Sequence, residues 1–303
     1  MTASTPRLVV EGLAFPEAPR WRDGALYLSD QVGNRVCRLR NGALEALCDV
    51  PHGASGLGWD AEGALLIVSM HDQRLLRLGR DGALHVAADL AALASGPLND
   101  LVADAGGGVY VGSFGSDLAA GEPLRPATLL RVDPNGRARV VAEDLCFPNG
   151  MAITPDGRTL IVAESFAQRL TAFDVAADGG LRNRRVWAQL GPKTAAPETF
   201  ADAVALGSPI PDGIALDADG CVWIADPLGP AALRVREGGE VVGRFETGEL
   251  SSYAVALGGE DRRTLYACVN LRLDRIDPST DRRGGVIAGR VGVPGAGRPR
   301  ALR

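Results

Sequence analysis

The 303-residue sequence has little of what staples a fold, binds soft metals or crosses a membrane. Five cysteines, Cys37, Cys48, Cys146, Cys221 and Cys268, are odd in number and scattered. They lack the paired spacing of a zinc knuckle or a redox motif. Cys37 and Cys48 could face each other on neighbouring strands, but core thiols are the reading that all five favour. Only three histidines occur, His52, His71 and His85. His52 lies close to Ser55, yet no Gly-x-Ser-x-Gly elbow is present and so short a separation is poor geometry for a triad. The glycine run Gly106-Gly107-Gly108 has no lysine of a phosphate loop behind it and reads as a hairpin turn. Residues 1–6 lack the basic start and apolar stretch of a signal peptide, and no hydrophobic run approaches spanning length. A soluble, cytoplasmic protein is expected, with no membrane partner. The net charge of −5 argues against a nucleic-acid partner.

What the chain does have is a repeat. Phe147-Pro148-Asn149-Gly150-Met151-Ala152-Ile153 has counterparts around Glu17 (FPEAPRWRDG), Ser55 (GASGLGWDAEG), Asn99 (PLNDLVADAGG), Asp212 (PDGIALDADG) and Tyr253 (SSYAVALGGED). Each unit has one key residue, mostly followed by a small or acidic one. An alternating apolar run, a turn and a strand rich in β-branched residues or leucine come next. The key positions recur roughly every 40–60 residues, near the spacing of four-stranded propeller blades. The expected fold is therefore all-β, a six-bladed β-propeller with four-stranded antiparallel blades. The repeats spread over the whole chain, so residues 1–303 are expected to form one domain. The segment 7–13 (RLVVEGL) has no partner in blade one. It is expected to close the ring against a C-terminal strand near 286–293.

Two segments exceed the period. One lies between Phe114 and Thr128. The other, 190–210, ends just before Asp212 and is a candidate lid. Within it PETFADAVAL reads as a short helix starting at Pro197-Glu198, with Phe200, Val204, Leu206 and Ile210 as apolar walls.

Equivalent positions of a propeller share one height around one axis. Here they carry Glu17, Ser55, Asn99, Asn149, Asp212 and Tyr253. At any single site a strand-capping turn residue is the plainer reading, because Asn, Asp and Ser are common turn formers. Glu and Tyr fit that reading poorly. Glu17, Asn149 and Asp212 offer oxygen donors only, which suits one hard divalent cation. Calcium is favoured, magnesium and manganese fit, and zinc is less typical without His or Cys.

The strings FPEAPRW, PLNDLVAD, CFPNGMAI and PDGIALDADG, in this order, resemble the gluconolactonase, regucalcin and senescence-marker-protein family. The resemblance runs from about Leu8 to about Val293. It implies a divalent metal in the central channel held by Glu17, Asn149 and Asp212. It also implies Asn99 beside the metal as a substrate-binding residue, and Asp212 as general base. Asp117 falls where sugar-lactonase members can carry a substrate-binding Glu. Where the regucalcin type has an arginine two residues before the Asn, this chain has Pro97. The implied activity is metal-dependent opening of a small-molecule lactone ring, while Pro97 and the apolar residues of 190–210 point to a substrate less polar than an aldonolactone. Hydrolysis of another activated ester or phosphotriester, and a non-catalytic calcium-binding propeller, stand as alternatives. The pattern sets no oligomeric state.

Overall fold

The computed structural model describes residues 5–118, 120–193, 196–277 and 279–297. Six four-stranded antiparallel sheets form a propeller. The innermost strands of blades one to six are Pro16–Arg22, Ala54–Trp59, Leu98–Ala103, Pro148–Ile153, Ile214–Leu216 and Ser251–Gly258. Each contacts the innermost strand of the next blade, and that of blade six contacts that of blade one. The hairpins use the chemistry their sequences announce. Asp23-Gly24 and Asn41-Gly42 have positive φ at both residues, which matches the twist of the flanking strands.

The core sits between blades rather than within them. Leu57 and Ile67 of blade two pack with Ala18 and Val36 of blade one, and Tyr110 and Leu129 of blade three pack with Met151 and Val162 of blade four. Leu57, Ile67, Tyr110 and Leu129 are fully buried, and each Leu or Ile contributes about 1.5–3 kcal/mol. Near the axis the inner strands approach too closely for side chains. A Cβ on Gly56 would lie 2.3 Å from the Leu101 nitrogen, and one on Gly150 2.4 Å from the Ile214 nitrogen. This explains the small residue that follows several key positions.

The ring closes through both ends of the chain. Arg7–Leu13 pairs with Gly284–Arg290, with Val10 opposite Val286 and Leu13 opposite Gly284. The C-terminal strand thus starts two residues before the expected 286 and ends at Arg290 rather than at 293. Its opening residue has to be small, because a Cβ on Gly284 would meet Pro16 at 2.5 Å. An apolar pattern does not report that requirement.

The segment 190–210 carries one helix, Phe200–Ala205. It starts later than the expected Pro197-Glu198. Thr199 accepts from the Asp202 N–H and Asp202 accepts from the Thr199 N–H, a reciprocal cap that fixes the first turn. Among the described residues no helix is long and apolar enough to cross a membrane.

Candidate active site

The key residues project from one recurring irregularity. In blades one to four the register between the inner strand and its neighbour shifts at Glu17/Arg20, Ala54/Leu57, Leu98/Leu101 and Pro148/Met151. Glu17, Ser55, Asn99 and Asn149 lie at or inside these shifts. A bulge leaves a residue out of the ladder and re-aims its side chain, here toward the axis. Ala18, inside the first bulge, has φ 47°. Asp212 reaches the same level by backbone bonds. Its N–H donates to Ala225 O (3.1 Å), and its carbonyl accepts from the Gly150 N–H of blade four (3.2 Å).

A second device fixes the loops leading into these strands. At or just after the end of the second strand of a blade, a buried carboxylate accepts from the backbone of the incoming loop. Asp30 accepts from the N–H groups of Ala14 (3.0 Å) and Phe15 (2.9 Å). Glu164 accepts from Cys146 (2.8 Å), and Asp226 from Ile210 (3.2 Å). These braces place Phe15, Phe147 and Ile210 beside Glu17, Asn149 and Asp212.

The result is a cavity of about 290 Å³ at the axis. Glu17, Asn99, Asn149, Asp212 and Tyr253 line it, so five of the six key positions converge. Ser55 is buried and does not line it. Gln31, 3.5 Å from the Ser55 hydroxyl, does. The remaining surface is largely apolar. Phe114 stacks on Phe147 with ring centroids 4.7 Å apart, Phe147 lies 4.3 Å from Phe166, and Phe166 meets Phe200 edge-on at 6.2 Å. Leu118, Ile210 and Leu273 also line the cavity, while among the described residues no Lys, Arg or His does.

The floor holds two buried carboxyls, Glu17 and Asp212. Burial pushes the Glu17 carboxyl up to about 8, with the Asp100 charge adding to the shift and the Ala18 N–H and Arg20 opposing it. Burial also holds Asp212 well above the ordinary carboxylate range, with the charges of Glu17, Asp100 and Asp226 adding to it and a hydrogen bond from the Asn149 amide opposing it. Asp212 Oδ1 is buried and accepts no hydrogen bond. Asp100 is paired instead, with Arg20 Nη2 at 2.7 Å.

These groups fit a divalent cation. The Asn149 amide nitrogen donates to Ser165 Oγ (3.3 Å) and that of Asn99 to Pro148 O (3.2 Å), which leaves the amide oxygens as the uncommitted ends. Two carboxylates, one with an orphaned oxygen, and an amide oxygen form the donor set of a hard ion. Among the described residues no group of three His, Cys, Asp and Glu could hold a metal, consistent with an amide as the third donor.

The structure brings Glu17, Asn99, Asn149 and Asp212 together. It places Asp117 elsewhere: Asp117 Oδ1 accepts from the Ala120 N–H (3.1 Å) and its own N–H donates to Glu122 Oε2 (3.1 Å). The next residue, Leu118, lines the cavity instead. His52 and His71 are exposed, and neither lines the cavity. From the long insertion, Phe200 and Ile210 reach the central cavity, Leu206 lines a neighbouring one, and Val204 packs against Phe166 and Leu228. Sequence reasoning missed Gln31 and the aromatic wall. One signal was available, because Phe15-Pro16-Glu17 and Phe147-Pro148-Asn149 both put a Phe two residues before a ring position.

Comparison with known proteins agrees with this architecture. The family model described as SMP-30/Gluconolactonase/LRE-like region matches residues 15–269. A 6-deoxy-6-sulfogluconolactonase of Pseudomonas putida is 27% identical over 291 residues, which is 93% of each chain. Among solved structures, a luciferin-regenerating enzyme superposes with a TM-score of 0.78 at 18% identity, covering 99% of both chains. A calcium-binding protein, regucalcin, from Agrobacterium tumefaciens gives 0.77 at 20% identity, covering 98% of this chain and 97% of that one. These two share its fold. From the match over most of its length, the chain belongs to the SMP-30/gluconolactonase/LRE-like family.

Proposed function

We propose that this protein is a divalent-metal-dependent hydrolase that opens the ring of a neutral lactone bearing an apolar substituent. The observation that carries this reading is Asp212, buried at the axis with an unpartnered oxygen, beside Glu17 and two amides whose nitrogens are tied back. Family membership and the lactonase relative support it. Glu17, Asn149 and Asp212 would hold the ion. The chemistry it supplies when bound is Lewis acidity toward a carbonyl oxygen and a lowered pKa for water.

The chain's own groups do the rest. The Asn99 amide oxygen accepts from the attacking water and orients it. Asp212 takes the proton as the water oxygen adds to the carbonyl carbon. It returns that proton to the ring oxygen as the ester C–O bond breaks, giving a hydroxy acid. Phe200 and Ile210 of the segment 190–210 cover the site, and this segment acts as the lid.

The substrate class follows from the walls. Apart from the ion, among the described residues the walls offer no Lys, Arg or His to pair a charged substituent, and the hydroxyls of a sugar lactone would find few partners. Pro97 offers no donor, and its carbonyl accepts from the Phe114 N–H (2.9 Å). Each hydroxyl buried without a partner costs about 1–3 kcal/mol. The test is kcat/KM for gamma-decalactone against gluconolactone with the metal-loaded protein. The alkyl lactone is expected to lead by about tenfold or more. Equal turnover of gluconolactone would remove the apolar assignment.

A further inference from the structure

Beside the central cavity lies a second one of about 460 Å³. Phe114, Phe147 and Phe166 line both, so the stacked rings form the partition between them. The insertion contributes Pro192, Lys193, Pro197 and Leu206 to the second chamber, and the loops of blades three and four contribute Arg125 and Gln168.

The chemistry of this chamber is the reverse of its neighbour's. Arg125 and Lys193, the only lysine of the chain, line it as exposed cations. Neither has an ion-pair partner among the described residues. A third cation, Arg169, is committed to Glu164 (2.9 Å). The one acid on the chamber wall is Asp144, which is exposed. Independently, Gln168 is only 2% exposed. Its amide nitrogen donates to Gly207 O (2.8 Å) and Pro209 O (3.0 Å), while its Oε1 is buried without a hydrogen-bond partner. A buried acceptor without a donor is uncommon, and this one belongs to a residue of the chamber wall.

Lactone opening changes the charge of the ligand. A neutral molecule enters, and the product carries one carboxylate and one new hydroxyl. The new carboxylate suits a wall that carries side-chain cations, and among the described residues the second chamber has them while the central cavity has no Lys, Arg or His. We propose that the chamber beneath the insertion is a binding site for the hydroxy acid. Arg125 and Lys193 take the carboxylate, Gln168 Oε1 accepts from the hydroxyl, and the hydrocarbon chain lies along Phe114, Phe147 and Phe166. This identification of the ligand rests on the lactonase reading, whereas the cation pair and the orphaned acceptor do not.

The test is calorimetric titration of the metal-loaded protein with the ring-opened hydroxy acid of gamma-decalactone at low salt, compared with decanoate, which lacks the hydroxyl. Arg125→Gln/Lys193→Gln serves as the variant, since both side chains are exposed and the fold does not depend on them. The hydroxy acid is expected to bind more tightly than decanoate. In the double variant its Kd should rise about tenfold or more, as for loss of charge-assisted contacts, and added salt should weaken only the wild type strongly. Equal affinity in wild type and variant would overturn the site. A protein that hydrolyses lactones but shows that equality keeps its proposed function and loses this site. A protein that hydrolyses none yet binds the acid through Arg125 and Lys193 keeps the site and loses the function.

Discussion

Arg20 of blade one and Asp100 of blade three form a 2.7 Å ion pair across two blades. Blade two makes room for it, because a Cβ on Gly56 would lie 2.9 Å from the Asp100 Cα. The pair balances the Asp100 carboxylate and leaves Glu17 and Asp212 as axial carboxyls without an ion-pair partner among the described residues.

Arg20→Gln therefore strands the buried Asp100 carboxylate beside two buried carboxyls. Breaking the pair is expected to cost about 1–3 kcal/mol, less than for a fully buried pair because the Arg20 side chain is 21% exposed. Urea denaturation measures it, and Arg20→Gln/Asp100→Asn should recover part of the loss. A single variant as stable as wild type would show that the pair contributes nothing.

Glu164 sets an acid limit on stability. Burial alone would raise its carboxyl, but Arg169, Thr171 and the Cys146 N–H outweigh that and hold it below its ordinary value of 4.5. A carboxyl depressed in the folded state contributes stability above its unfolded pKa and loses it as pH falls through the folded one. Wild type should lose stability as pH drops below about 4.5, and Glu164→Gln should lose less over that range while being less stable at neutral pH. Parallel acid-melting curves would contradict the assignment.

Asp226 ties the end of the insertion to blade five. It accepts from Ser208 Oγ and from the N–H groups of Ile210 (3.2 Å) and Leu228 (3.1 Å). Asp226→Ala leaves those donors unpaired, at about 1–3 kcal/mol for each buried group. Protease cleavage within 190–210 should speed up, and KM should rise more than kcat falls. Unchanged cleavage and KM would remove the tether and the lid with it.

The ring was legible because two local constraints coincide at each repeat. A bulge needs a residue that can leave the ladder, and the neighbouring inner strand often demands glycine next to it, as at Gly56 and Gly150. Ser55 satisfied both and still fell outside the cavity, because Gln31 reaches it from an adjoining loop. The aromatic wall was hidden for a different reason. Phe114, Phe147 and Phe200 come from separate segments that meet only after the blades close, so no spacing reports them. Arg20–Asp100 is long-range in the same way. Asp117 matched its expected place along the chain, but the turn through Ala120 and Glu122 puts Leu118 on the cavity wall instead.

The central claim is that Glu17, Asn149 and Asp212 hold a divalent ion at which Asp212 moves the proton of lactone opening. Its most direct test is the rate of gamma-decalactone hydrolysis by metal-stripped protein, before and after one equivalent of Ca²⁺, Mg²⁺, Mn²⁺ or Zn²⁺ is restored, for wild type and Asp212→Asn. Wild type should lose turnover on stripping and regain it with one of the four ions. Asp212→Asn should stay down by about 10²–10⁴-fold, the usual share of a general base. Full activity in the stripped wild type, or in the metal-loaded Asp212→Asn protein, would contradict the account.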